Sequence, residues 1–194
     1  MSLILIMMKK LTLLLFLCLS ISCAKDDEGK PENQAYLDQL LGRYQLRAAY
    51  LENPIDLNGD GIVGTDLFQE VDYCNMSKHL ESYDCTIIKR NIQSMIYDVP
   101  YSDHYNNFQN HSNCLRAKDI RSDLSIDSQN ESVVTVPNEF QDNFALMEYQ
   151  AKLIDFTWED RIVYLTLEKE FYTPNGEWAT VTLYMEYEWA SSQT

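Results

Sequence analysis

Asp56, Asn58 and Asp60 stand at alternate positions in the run Pro54-Ile-Asp-Leu-Asn-Gly-Asp-Gly-Ile-Val-Gly-Thr-Asp66, and Gly61 follows at once. Three short oxygen donors at this spacing, ahead of a glycine that lets the backbone bend sharply, aim side-chain oxygens into one loop. Hard oxygen ligands in flexible geometry are what calcium takes. Ile62 adds a backbone carbonyl and Asp66 a closing carboxylate. The expected set around a structural Ca2+ is therefore Asp56, Asn58, Asp60, Ile62 and Asp66. Without a metal the same residues are ordinary turn formers, since Asn-Gly and Asp-Gly reverse the chain unaided.

Counted from Asp56 as position 1 of an EF-hand loop, position 12 is Leu67 rather than Glu or Asp; Asp66 falls one short, and Glu70 is the next carboxylate within reach. Other chemistry is weaker. His104, His111 and Cys114 share a polar, aromatic stretch, but their spacing fits no compact zinc pattern. Trp158, Trp178 and Trp189 offer faces on which sugar rings stack, and aromatics are also ordinary strand formers. Hydrolase-elbow, zincin, phosphate-loop and dinucleotide patterns do not occur, so the chain is expected not to be an enzyme.

The N-terminus carries an address. Lys9 and Lys10 precede an apolar region of eleven residues from Leu11 to Ile21, too short to span a bilayer and of the length of a secretory signal. Ser20 and Ser22 lead into Cys23, which reads as the acylated cysteine of a lipoprotein, with residues 1–22 removed. Residues 23–35 are a solvated tether rich in Lys, Asp and Glu. Residues 36–194 are one domain. The chain has net charge −15; without Lys9 and Lys10 it holds 13 basic and 30 acidic residues, 13 − 30 = −17. Such a field repels phosphate backbones, which excludes nucleic acid as a partner, and it gathers cations. Cysteines 74, 85 and 114 then remain. Of the three pairings, Cys74–Cys114 is favoured in an oxidising compartment, with Cys85 left as a small buried hydrophobe.

Those residues need elements to hold them. Leu37, Leu40 and Leu41 are spaced for a helical turn; Tyr44, Leu46 and Ala48 alternate with polar residues as in a strand. Thr65 or Asp66, with Gln69, forms a capping signal for a short helix through Leu67, Val71 and Cys74, ending near Asn75 or Met76. From Cys85 the texture is β, with a long loop over Pro100 to Asn113 and short strands at Val133–Val136 and Lys152–Trp158, the last with Ile154, Phe156 and Trp158 on one face. Ile162–Phe171 and Trp178–Trp189 flank Pro174-Asn175-Gly176, a strong hairpin signal; Val181, Leu183, Met185, Tyr187 and Trp189 share the core face. Short strands, hairpins and one early helix give an all-β antiparallel barrel or sandwich.

Gly42-Arg43-Tyr44 resembles the Gly-x-Trp opening of lipocalin-type barrels, with Tyr in place of Trp. Ala24-Lys25-Asp26-Asp27-Glu28 resembles the export tag of Bacteroidota-type surface lipoproteins, and the Pro54–Asp66 run with Thr65-Asp66-Leu67 and Cys74 is similar to their lipocalin-like members. The resemblance implies an up-and-down antiparallel barrel on a lipid-anchored protein of the outer membrane, facing the cell exterior. Two functions are expected of it. One is a binding module for a small apolar or glycan-like ligand, stapled by calcium. The other is a non-catalytic interaction subunit docked on an outer-membrane transporter, another surface lipoprotein or an adhesion assembly.

Overall fold

The computed structural model describes residues 32–71, 83–102 and 115–192. Asn33 accepts the Tyr36 amide and caps α1 (Gln34–Leu40), which buries Tyr36, Leu37 and Leu40. The strands are β1 (Gly42–Ile55), β2 (Gly64–Asp66), β3 (Asp84–Lys89), β4 (Gln93–Ser102), β5 (Leu115–Asp127) and β6 (Ser132–Val136); then come α2 (Glu139–Tyr149), β7 (Ala151–Glu159), β8 (Ile162–Tyr172) and β9 (Trp178–Ser192). All described pairings are antiparallel, in the order β6-β5-β4-β3-β1-β9-β8-β7, with β2 laid on the upper part of β1. First strand pairs with last, and the sheet forms a nearly closed up-and-down barrel with two short helices. We call the end where β1 begins lower and the end where it leaves upper.

The open seam lies between β6 and β7. β6 covers β5 only from Asp123 to Asp127. Above that level α2 bears on β5 and β7 and stands in for the missing strand. Asn138 caps α2 by accepting the Gln141 amide, and the Asn138 and Gln141 side chains donate to Asp123 of β5.

The interior is filled. Tyr44, Tyr97, Tyr187, Lys169, Phe171, Met95 and Ile87 are all less than 2% exposed. Burying such side chains supplies the main driving force for the fold, on the order of 1.5–3 kcal/mol for each large apolar one. Period-two alternation places most of them, as along β8, where Val163, Leu165, Leu167, Lys169 and Phe171 all face inward. Pro100, expected in a loop, instead extends β4 opposite Ala117; β3 reaches only to Tyr97 on the other side, so no ladder bond needs its missing N–H.

Two inward faces differ from the expected ones for a single reason. A register shift against β9 between Leu46 and Ala48 turns Ala49, not Ala48, into the core. A second shift between Leu153 and Asp155 leaves Ile154 54% exposed while Phe156 and Trp158 pack inward. One inserted residue flips every later side chain to the other face. The helix expected after Thr65 is also corrected: Gly64–Asp66 is a strand, and Leu67–Gln69 form a turn that Asp66 caps by accepting the Phe68 amide. Leu67 and Val71 are nonetheless buried. Cys74, Asn75 and Met76 lie outside the described residues.

Lys169 is the one charged residue type at a wholly buried interior position among the described residues, at 0% exposure. Its ammonium donates to the Glu170 carbonyl at 2.7 Å and sits 4.8 Å from the Phe171 ring centre. Burial pushes the amine down to about 7. The folded chain therefore holds this proton less tightly than the unfolded chain, and stability rises with pH from about 7 towards the ordinary 10.5. Lys169→Met should remove that slope between pH 7 and 9 and raise stability at pH 7 by on the order of a few kcal/mol, read from urea unfolding at each pH.

Candidate metal centre

The acidic loop joins β1 to β2 at the upper end, across the pair Ile55–Gly64. Leu57, with no exposed surface, pins it to the core. Around that anchor the polar side chains turn towards the loop's own backbone. Asp56 accepts the Gly59 amide through Oδ1 at 2.6 Å and the Gly61 amide through Oδ2 at 2.9 Å. Asn58 Oδ1 accepts the Asp60 amide at 2.9 Å, and Asp60 Oδ1 accepts the Ile62 amide at 2.7 Å. Asn58 Nδ2 donates to Asp60 Oδ2 and to the Gln69 carbonyl. Gly59 and Gly61 sit at φ of +79° and +82°, which other residues adopt at a cost of roughly 1–2 kcal/mol. At Gly59 a Cβ would also press on the Pro174 ring of the β8–β9 turn, 3.0 Å away.

The five expected ligands are not all brought together. Asp56, Asn58 and Asp60 share the loop. Ile62 follows it with an exposed side chain. Asp66 looks elsewhere: its two oxygens accept the Phe68 amide and the Gln69 side-chain amide, so it serves the next turn. Among the described residues no three His, Cys, Asp or Glu side chains stand at metal-holding distance. As built, the loop is a cluster of side-chain-to-backbone turns.

Behind it stands Glu70. Only 5% exposed, it accepts the Leu57 amide, and its Oε2 is buried with no hydrogen-bond partner. Burial raises its carboxyl above the ordinary range, the Leu57 amide works against that, and the fields of Asp60, Asp56 and Asp66 raise it further. A Cβ on Gly64 would collide with its Oε1, so Gly64 makes the room for this carboxylate. The residue that senses the acidic loop from the protein side is thus Glu70 rather than Asp66. Its reach was visible in the sequence, but its burial was not.

The remaining candidates separate. Cys23, Cys74, Cys114, His104 and His111 lie outside the described residues, and with them the pairing Cys74–Cys114. Cys85 is a buried free thiol, raised well above its ordinary pKa by burial and then by Asp98 and Asp84, and so unreactive. Trp158 packs edge-on against Tyr36 and donates to the Tyr44 hydroxyl at 2.9 Å. Trp178 is half-buried against Tyr172. Trp189 lies under the Arg161 guanidinium.

A raised carboxyl means that the folded chain binds the Glu70 proton more tightly than the unfolded chain. Its share of stability is present at low pH and lost as pH rises through the elevated folded value. Glu70→Gln, which keeps the shape and removes the charge, should raise the melting midpoint at pH 7.5 by a few degrees and leave it unchanged at pH 4, in chelator throughout. An equal effect at both pH values would assign the change to packing. Comparison with known proteins returns no matching family model, no similar curated protein and no similar solved structure.

Proposed function

We propose that this protein is a non-catalytic interaction subunit of a cell-surface assembly, anchored to the outer membrane through an acylated Cys23 and facing the exterior. Its partner is a protein, a transporter or another surface lipoprotein, met at the seam of the barrel. The observation that carries this reading is the helix at that seam. α2 buries Ala145, yet Phe140 is 80% and Met147 70% exposed, and Phe144 and Leu146 are also open to solvent. Exposed Val134 and Val136 of β6 precede it, and Ile154 of β7 follows. An apolar helix face beside the exposed edge of a sheet is what a protein partner covers. A carrier of a small apolar or glycan-like ligand needs a lumen, whereas tyrosines, a phenylalanine and a lysine fill this interior.

Calcium belongs to the same proposal as a structural ion. Asp56, Asn58 and Asp60 would hold it, and the unpartnered Glu70 oxygen is the carboxylate best placed to close the site, in place of Asp66. The ion would neutralise the acids that hold the Glu70 carboxyl above its ordinary range.

Two measurements test the two parts. Photo-crosslinkers placed at positions 140 and 147 on living cells should give one discrete adduct with an outer-membrane protein, and the same group at the exposed Arg47 of β1, across the barrel from the seam, should not. Identical adducts from all three sites would defeat the docking role. Phe140→Ser with Met147→Ser should abolish the complex while leaving the melting midpoint unaltered, since exposed side chains contribute little to folding. For the ion, 1 mM calcium should raise the melting midpoint of the wild-type chain relative to chelator by several degrees, and should do nothing for Glu70→Gln.

A further inference from the structure

At the lower end of the barrel, a groove of about 710 Å³ opens between α1, the β3–β4 turn, the β7–β8 turn and the last residues of β9. Lys89 and Arg90 reach it from one turn, Arg161 from the other, and Asp38 is the one carboxylate on its wall. Arg90 and Arg161 set two guanidiniums on the lining against the single Asp38 carboxylate, in a chain whose total is −15. A surface this acidic repels anions from nearly every side, so a local reversal of sign marks where an anion can settle.

The groove is built as well as charged. Leu37 and Leu41 form an apolar wall, and the Arg161 guanidinium lies 4.2 Å from the Trp189 ring centre, which fixes a flexible side chain in place. The β7–β8 turn consists of Asp160 and Arg161 at φ of +50° and +64°, where glycine or asparagine sits more easily. Holding arginine there costs about 1 kcal/mol. The turn's geometry, with the bond from the Trp189 amide to the Arg161 carbonyl, brings Arg161 beside the indole.

We propose that this groove binds a phosphate-bearing anion. Arg161 and Arg90 engage the phosphate oxygens, since guanidinium forks match that geometry. Trp189, Leu37 and Leu41 receive the carbon skeleton attached to the phosphate. A carboxylate would leave one guanidinium unused, whereas a phosphate has oxygens for both. α1 follows the N-terminal tether directly in sequence, so lipid phosphates are one source of the anion and soluble phosphates the other. The proposal is independent of docking at α2, which lies at the opposite end.

The test uses the mature chain with Cys23→Ser, kept free of detergent, and follows tryptophan fluorescence and binding heat at low salt. Inorganic phosphate and dihexanoyl phosphatidylglycerol, below its micelle concentration, are the two probes; dihexanoylglycerol is the uncharged control. At least one probe should bind saturably. Arg161→Gly, which suits the left-handed backbone, and Arg90→Glu should each weaken that binding at least tenfold with the melting midpoint held. Saturation by inorganic phosphate assigns the site to a free phosphate, and saturation by the lipid alone assigns it to a headgroup. Failure of both probes to saturate, unchanged affinity in both variants, or equal binding of the uncharged control overturns the proposal.

Discussion

A barrel of this kind closes only if its first strand finds its last, and here β1 pairs with β9 from Gly42 to Leu51. The approach at Gly42 is so close that a Cβ would stand 2.5 Å from the Ser191 carbonyl and 2.8 Å from the Trp189 indole nitrogen. Only glycine fits without moving the backbone of β9. Two residues on, the Tyr44 hydroxyl donates to the Leu40 carbonyl and accepts from the Trp158 indole. One buried oxygen thus ties α1, β1 and β7 together at the lower end. Without these contacts β1 has no fixed place against β9, and the loop, the seam and the groove lose their common frame.

The Gly-x-Tyr opening was therefore legible for a physical reason: the glycine answers a steric demand, and the aromatic after it must be large, buried and equipped with a polar tip. The last hairpin was legible too, since alternation and Pro174-Asn175-Gly176 agree, and Gly176 takes φ of +84°. The two bulges were not. Alternation shows that a strand exists, but an inserted residue leaves no mark on composition, so alternation alone puts Ala48 and Ile154 on the wrong face. Helix α2 was hidden for a related reason. Phe140, Phe144 and Met147 stand at i, i+4 and i+7, but that stripe faces solvent rather than the core, so the usual link between stripe and packing fails here.

At the candidate site, the loop was legible and its partner was not. Aspartate and asparagine at alternate positions before glycine specify a turn whether or not an ion is present, because the same oxygens that would ligate calcium already accept the amides of Gly59, Asp60, Gly61 and Ile62. Asp66 looked like the closing ligand by count, but β2 turns it towards Phe68 and Gln69. Glu70 emerges because Gly64 clears space for it and Leu57 gives it an amide. Both are tertiary facts that spacing does not encode.

Lys169 and Glu70 expose one principle from opposite signs. Each is a charge taken out of water, and each has its pKa driven towards the neutral form, Lys169 against the opposing field of Glu170. Lys169 lies among inward-facing side chains of β8 and is held by one carbonyl and one ring, so its neutral form suffices. Glu70 differs in that the fields of Asp60, Asp56 and Asp66 add to its burial, and protonation of one carboxyl does not quiet the others. A cation can answer all of them together, whereas a proton answers one. That difference is what the proposed ion would answer at the acidic loop, and the interior lysine presents no such need.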